Sequence, residues 1–382
     1  MFREKQGINL LTSHPVTGID RVAKRVNGTT REGKPFEAAY DKLLIATGAI
    51  PILPDIPGID HPGVMVLKTL ADGRRIKQHL NDRAIRRAVI IGMGYIALET
   101  CESLRALGLE VDMVKPHPRF LPWLKEELAA VVEEELAAKR VTLHPGCRVT
   151  RIENTGGRLQ VVCEALALDV DMVLVATGVS PNSEIAAAAG IELGPKKSIA
   201  VNNRLLTSDP HVYAAGDCSD AIHVVTGQKA WIPLALRANR AGWAVADNVC
   251  GRNVVLPGVV GTAVFKIFDL QVARTGLNRE EALAAGFKAA EVVIETRSRA
   301  HAHPGASSIH VSMVADTKTG RLLGSQMVGK EGVAHRINAP AVALHAQMTV
   351  EQFSQTDLSY APPFGPTWDP CLTAANQLLK KL

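Results

Sequence analysis

Short apolar runs rich in β-branched residues alternate with stretches of helical period along the first two thirds of the chain. The runs at residues 40–46, 88–91, 110–114, 170–175 and 212–214 predict strands. Between them, residues 95–107 and 126–138 carry apolar positions at helical spacing, the second with Leu128, Val131, Val132 and Leu136 on one face. Residues 183–190 predict a short helix with Ser183 as N-cap and Gly190 just past its end, and residues 239–251 close on a glycine in the same way. From about Leu256 the texture changes. Strand patterns at 262–268, 290–296, 307–314 and 322–328 are followed by helical patterns at 333–347 and 369–380. An alternating α/β chain is therefore followed by an α+β module, and residues 60–67, with Pro62 and Gly63, read as a crossover between lobes.

Composition narrows the class. At 382 residues, with 47% hydrophobic side chains, the chain is long enough for two or three domains that each bury a core. The net charge of +5 comes from 43 basic and 38 acidic residues spread along the whole length, and the basic runs at 83–87, 196–197 and 380–381 are short. That distribution argues for small anionic ligands and against nucleic acid. No apolar run approaches the ~20 residues of a membrane span, and the segment at 8–11 is too brief for a secretory core, so a soluble cytoplasmic protein is expected. Six scattered cysteines (101, 147, 163, 218, 250 and 371) show no CxxC and no zinc spacing. They are expected to be reduced, mostly buried thiols, and no metal site is expected.

The sharpest local signal is the run from Ala88 to Glu99, AVIIGMGYIALE. A strand leads into GxGxxA and a helix follows. Gly92 allows the tight turn, Gly94 lets backbone approach a pyrophosphate, and Ala97 keeps the helix close to the strand. At the tip of the next strand, where a carboxylate would hold a ribose 2′-hydroxyl, stands Lys115, with Arg119 close behind. Two cations in that place suit a 2′-phosphate and hence NADPH or dual use; the alternative is that Lys115 is merely solvated and the choice is made elsewhere. A second signal is an internal echo. Strands at 41–46 and 171–176 both end in Ala-Thr-Gly, at Thr47-Gly48 and Thr177-Gly178, which implies two nucleotide-binding lobes. Only one GxGxxA exists, and its interval to Thr177, counted back from Thr47, falls ahead of Met1. The first lobe is thus expected to lack its opening βαβ unit, and the start reads as mid-domain sequence joining a strand.

The third signal is TSDPHVYAAGDC, from Thr207 to Cys218. Together with both Ala-Thr-Gly turns and GxGxxA, it resembles the FAD-dependent pyridine nucleotide–disulfide oxidoreductases. The segments 232–242, 319–329 and 358–370 narrow the resemblance to coenzyme A disulfide reductases, NADH oxidases and NADH-dependent polysulfide reductases. The resemblance implies two Rossmann-like lobes and a C-terminal α+β dimerisation domain. The FAD lobe would comprise residues 1–66 and 180–255, the NAD(P)H lobe 67–179 and the dimerisation domain 256–382. It implies FAD contacts at Thr47, Gly48, Gly216, Asp217, Leu234 and Ala235. It implies NAD(P)H contacts at Gly92, Gly94, Tyr95, Ile96, Ala97, Glu99, Lys115 and Gly178. Asn239 would lie beside the substrate channel, and Tyr360 would reach the active site of the partner in a homodimer. The implied chemistry is hydride transfer from NAD(P)H through FAD to a cysteine, then to a disulfide, a persulfide or polysulfide, or oxygen or peroxide. None of the six cysteines stands in the family's redox motif, and Cys101 and Cys218 read as packing thiols. Aromatic residues typical before the Pro304-Gly305 pair are replaced by Ala302-His303, with His303 a surface or interface residue. Two readings follow: a shortened record of a working flavoenzyme, or a truncated NAD(P)-binding dimer without the redox cysteine.

Overall fold

A computed structural model describes residues 2–82 and 84–382; Met1 and Arg83, the latter in the short basic run, lie outside them. The chain divides into two compact units.

The first unit takes the residues up to Ile50 together with Ser180–His223 and Gly227–Gly258. Its opening residues form a short helix, Phe2–Gln6, rather than joining a strand directly. An antiparallel meander follows, Val16–Asp20, Arg25–Thr29 and Pro35–Ala39. The strand expected over 40–46 shrinks to Leu43–Ile45, because the Tyr40 amide is taken by the Lys24 carbonyl and pairing starts only where Leu43 donates to His211. It runs parallel to Val212–Ala214. The helix Ala235–Val249 packs Ala241, Ala244 and Val245 into the core with Ile45, Val212, Ala214 and Cys218. Leu236 and Trp243, seven residues apart on this helix, are exposed. Ser183 precedes the helix Glu184–Ala188, but its hydroxyl donates to the Lys197 carbonyl instead of capping it.

The second unit takes Pro51–Val179, Val224–Thr226 and Val259–Leu382. Its first layer is a parallel sheet in the order Val64–Val66, Met172–Val175, Arg87–Ile91, Glu110–Lys115, Val141–Pro145. Helices Leu70–Asp82, Tyr95–Ala106 and Glu126–Ala138 link the strands. The central strands are apolar on both faces, as crossover-covered parallel strands must be. The run expected at 170–175 is broken at Asp171. Its carboxylate accepts from the amides of Arg86 and Arg87, pinning the start of Met172–Val175, while Ala167–Val170 joins a separate antiparallel sheet with Val149–Thr155 and Arg158–Cys163.

The C-terminal layer is an antiparallel sheet in the order Ala263–Ile267, Leu270–Gly276, Leu322–Gly329, Ser308–Asp316, Ala289–Arg297. Leu270–Gly276 is a strand that pattern alone misses, since Gln271, Arg274 and Thr275 interrupt its apolar alternation. The helical pattern at 333–347 resolves into Val333–Arg336 and Asn338–His345, and Pro370–Leu379 buries Cys371, Ala374, Ala375 and Leu378 against the sheet.

The expectation of six reduced thiols is corrected. Cys147 and Cys163 form a disulfide with Cα atoms 6.0 Å apart, because the strand register sets Val149 opposite Cys163 and so brings Cys147 alongside it. Cys101, Cys218 and Cys371 are buried and free, and Cys250 is exposed. No helix among the described residues is long and apolar enough to cross a membrane.

Candidate functional site

In the second unit, the buried strand Arg87–Ile91 ends at Gly92, whose φ is +122°. A Cβ there would lie 2.2 Å from the Ala176 carbonyl, so backbone crowding against the neighbouring strand end requires glycine. Gly92 also donates to Val114 and Ala176 donates to Ile91, which locks the turn to both flanking strands. Gly94 then serves as the N-cap of Tyr95–Ala106 with no side-chain cap, and a Cβ on it would meet nothing within 4 Å. The amides of Tyr95, Ile96 and Ala97 therefore stand without a side-chain cap at the positive end of a twelve-residue helix. Uncapped amides at a helix start have the chemistry to accept an anion such as a pyrophosphate. Ala97 is fully buried against the sheet, whereas Ile96 and Glu99 are exposed. Burial raises the Glu99 carboxyl, with Glu102 adding to it.

Gly178, with φ +119°, closes the strand at 172–175; Thr177 Oγ1 donates to the Ile52 carbonyl at 2.6 Å and Ile52 donates back to Gly178. Lys115 ends the adjacent strand. The sheet thus brings Gly92, Gly94, Lys115 and Gly178 to one edge, the carboxyl ends of parallel strands, where such sheets bind ligands. Both candidate 2′-phosphate cations already have partners. Lys115 Nζ donates to the Phe120 carbonyl at 2.9 Å, with burial lowering its pKa, and Arg119 pairs with Glu280 at 3.1 Å. The Tyr95 ring stacks on Phe265 at 4.9 Å between centroids and meets Trp123 edge-on at 5.3 Å. Tyr95 is therefore an anchor to the C-terminal sheet as well as the first residue of the helix Tyr95–Ala106.

In the first unit, Thr47 Oγ1 donates to the Asn182 carbonyl at 2.5 Å, and Asn182 donates to the carbonyl of Gly48, which has φ +71°. Ala215 donates to Ile45, and the chain turns out at Gly216, φ +86°, into Asp217. A Cβ at Gly48 or Gly216 would meet nothing within 4 Å, so both turns border open space. Leu234, extended at φ −129°, caps Ala235–Val249 without a side-chain bond, leaving the first amides of a fifteen-residue helix from Ala235 onward free of an intrahelical partner. Sequence reasoning missed what holds this turn. Buried Arg237 donates to the Gly216 carbonyl at 2.6 Å, to Ser219 Oγ at 3.0 Å and to the Asp220 carbonyl. Burial lowers its pKa. Trp231 Nε1 donates to the Asp217 carbonyl at 2.7 Å. The segment around Arg237 carried the resemblance, but a lone arginine on an amphipathic helix gives no sign that it points inward.

Asn239 is exposed on the same helix. Tyr360 is 51% exposed in the loop before Pro370–Leu379. That loop is held by Arg336, which bonds Asp369 at 2.8 Å and donates to the Phe364 carbonyl at 2.7 Å and the Ser298 carbonyl at 3.0 Å. None of the free buried thiols is an activated nucleophile. Burial pushes Cys101 up to about 12 and raises Cys371, and Cys218 donates to the Ala215 carbonyl.

Gly94 and Gly216 thus both border open space, each beside a helix start that no side chain caps, an arrangement with the chemistry to accept an anion. Residues 1–242 match the pyridine nucleotide-disulphide oxidoreductase family and residues 262–370 match its dimerisation domain, so the chain belongs to that family of FAD- and NAD(P)H-dependent oxidoreductases. Within it, the chain is 37% identical to the NAD(P)H sulfur oxidoreductase (CoA-dependent) of Pyrococcus abyssi, over 99% of this chain and 84% of that protein. It is 34% identical to an NADH oxidase of Methanocaldococcus jannaschii, over 100% of this chain and 85% of the relative. An NAD-dependent persulfide reductase from A. fulgidus superposes with a TM-score of 0.96 at 37% identity, covering 100% of this chain and 71% of that one.

Proposed function

We propose that the protein takes NAD(P)H on the Gly92–Ala97 cradle and FAD at Gly48, Gly216, Asp217 and the start of Ala235–Val249, and works as a homodimer reducing a low-molecular-weight sulfur acceptor of the persulfide, polysulfide or coenzyme A disulfide type. The observation that carries this reading is that two helices of twelve or more residues start without a side-chain cap, one directly after Gly94 and one whose Arg237 holds the Gly216 turn, and that a side chain at either glycine would meet only open space. The residues present fit both groups: a pyrophosphate at the uncapped amides, and a hydroxyl-rich chain beside the Asp217 carboxylate. When bound, FAD supplies the step from hydride donor to electron acceptor. The protein's own residues orient and insulate. Gly94 leaves the backbone open to the nucleotide, Arg237 holds the carbonyls of Gly216 and Asp220, and the Tyr360 hydroxyl is free to donate a hydrogen bond to sulfur. The NADH oxidases among the relatives make oxygen a competing acceptor.

A second reading is favoured by the cysteines. With Cys101 and Cys371 held protonated by burial and Cys147 bonded to Cys163, the chain also fits an NAD(P)-binding dimer without turnover. The visible spectrum of the purified protein separates the two. Near-stoichiometric FAD that is bleached by anaerobic NAD(P)H is expected of the flavoenzyme. A colourless protein that still binds NAD(P)H means the second reading holds.

A further inference from the structure

The loop after the Glu110–Lys115 strand is not free. Its Trp123 carbonyl accepts from Asn278 Nδ2 at 3.0 Å and from Gln326 Nε2 at 2.6 Å, and Gln326 Oε1 accepts from the Lys125 amide at 2.8 Å. The Trp123 ring lies edge-on to Tyr95 and Phe265, with the Arg274 guanidinium 5.6 Å from its centroid. This stitching to the C-terminal sheet sets Arg119 beside the helix Arg279–Ala284, where its Nη1 donates to Glu280 Oε1 at 3.1 Å. Glu280 takes no part in the capping hydrogen bonds of that helix. The capping box is made by Asn278 and Glu281, and Glu281 also pairs with Arg274 at 2.6 Å.

From this geometry we propose that Glu280 sets the NADH-against-NADPH preference by competing with the adenosine 2′-phosphate for Arg119. The proposal rests on the NAD(P)H reading of the Gly92–Ala97 cradle. Lys115, nearer the strand tip, spends its ammonium on the Phe120 carbonyl, so Arg119 is the cation left to answer a dianionic phosphate, and it carries a carboxylate already. Both members of the pair are well exposed, at 46% and 67% of side-chain area, so water and salt weaken their attraction and a phosphate can draw Arg119 away. The carboxylate then stays behind and repels the phosphate. Nucleotide choice in this fold is thus adjusted from the C-terminal module, outside the nucleotide lobe.

The test uses the 382-residue chain and two probes that differ only at the 2′ position, adenosine 2′,5′-bisphosphate and adenosine 5′-monophosphate, titrated by calorimetry. Glu280→Gln is expected to tighten the bisphosphate about three- to tenfold and leave the monophosphate unchanged, with the gain shrinking in high salt. Arg119→Gln should weaken the bisphosphate alone, and in that background Glu280→Gln should have no effect. An unchanged ratio in Glu280→Gln, an equal gain for both probes, or a gain that persists without Arg119 overturns the proposal. Failure of the wild type to bind the monophosphate at all is a different result: it removes the nucleotide reading of the cradle, and the proposal with it.

Discussion

The two glycine turns look alike in sequence and are held by different forces. At Gly92 the turn is jammed against its own sheet, with the Ala176 carbonyl where a side chain would begin and amides tied to both flanking strands. At Gly216 there is open space, and the turn is held from below by Arg237, an arginine buried inside the following helix and spent on backbone carbonyls. One site is shaped by crowding of main chain on main chain. The other is held by side chains, with a buried cation at their centre and Ser219 and Trp231 beside it. The first kind tolerates no substitution at its glycine, whereas the second depends on a residue twenty-one positions away.

That contrast can be broken in order of expected effect. Gly92→Ala carries the largest, since both the positive φ and the Ala176 carbonyl oppose a methyl group. A loss of about 3 kcal/mol in urea unfolding and abolished AMP binding are expected, with FAD per protomer kept by the first unit. Equal loss of FAD would show that the two sites are not separately held. Arg237→Met comes next. It removes the donor to the buried Asp220 carbonyl and one of those on the Gly216 carbonyl, which keeps the Ser219 amide and hydroxyl, at about 2 kcal/mol. Flavin content should fall while AMP affinity stays, and Arg237→Lys should restore only part of it, because one ammonium cannot span the three partners. If FAD content survives Arg237→Met, the Gly216 turn does not depend on the buried cation and the contrast fails. Gly216→Ala is the mildest backbone change, about 1 kcal/mol from φ alone, because no protein atom waits for the methyl. A drop in flavin content well beyond that in stability would show that the open space is where the flavin's own atoms lie.

The same contrast explains what was legible in the sequence. GxGxxA is readable because main-chain crowding acts on nearest neighbours, and Gly92, Gly94 and Ala97 behave as their spacing demands. The strands at 88–91, 110–114 and 212–214 were found within a residue or two, since buried parallel strands announce themselves as short β-branched runs. Arg237 was invisible because its role depends on which helical face turns inward. The Cys147–Cys163 bond was missed for a similar reason: a strand register that spacing does not encode brings them together. Leu270–Gly276 hid behind polar residues that face its neighbours, and Arg336, which holds the Tyr360 loop, gives no local signal at all.

The smallest effect is at Lys115, and it tests how far the reading of a strand tip can be carried. The missing carboxylate there argues for a 2′-phosphate, but the folded chain gives the ammonium a carbonyl partner and half-buries its stem. A charge so placed still acts at a distance without contacting the phosphate. Lys115→Glu is therefore expected to lower binding of adenosine 2′,5′-bisphosphate relative to AMP by about threefold, a Coulombic change with no lost contact to the phosphate and a strong dependence on ionic strength. A loss of a hundredfold would mean that Lys115 leaves Phe120 to bind phosphate directly, and that this site, like the one at Gly216, is organised by a cation. No change at any salt concentration would mean that Arg119 alone reads the 2′ position and that the strand tip only supports it.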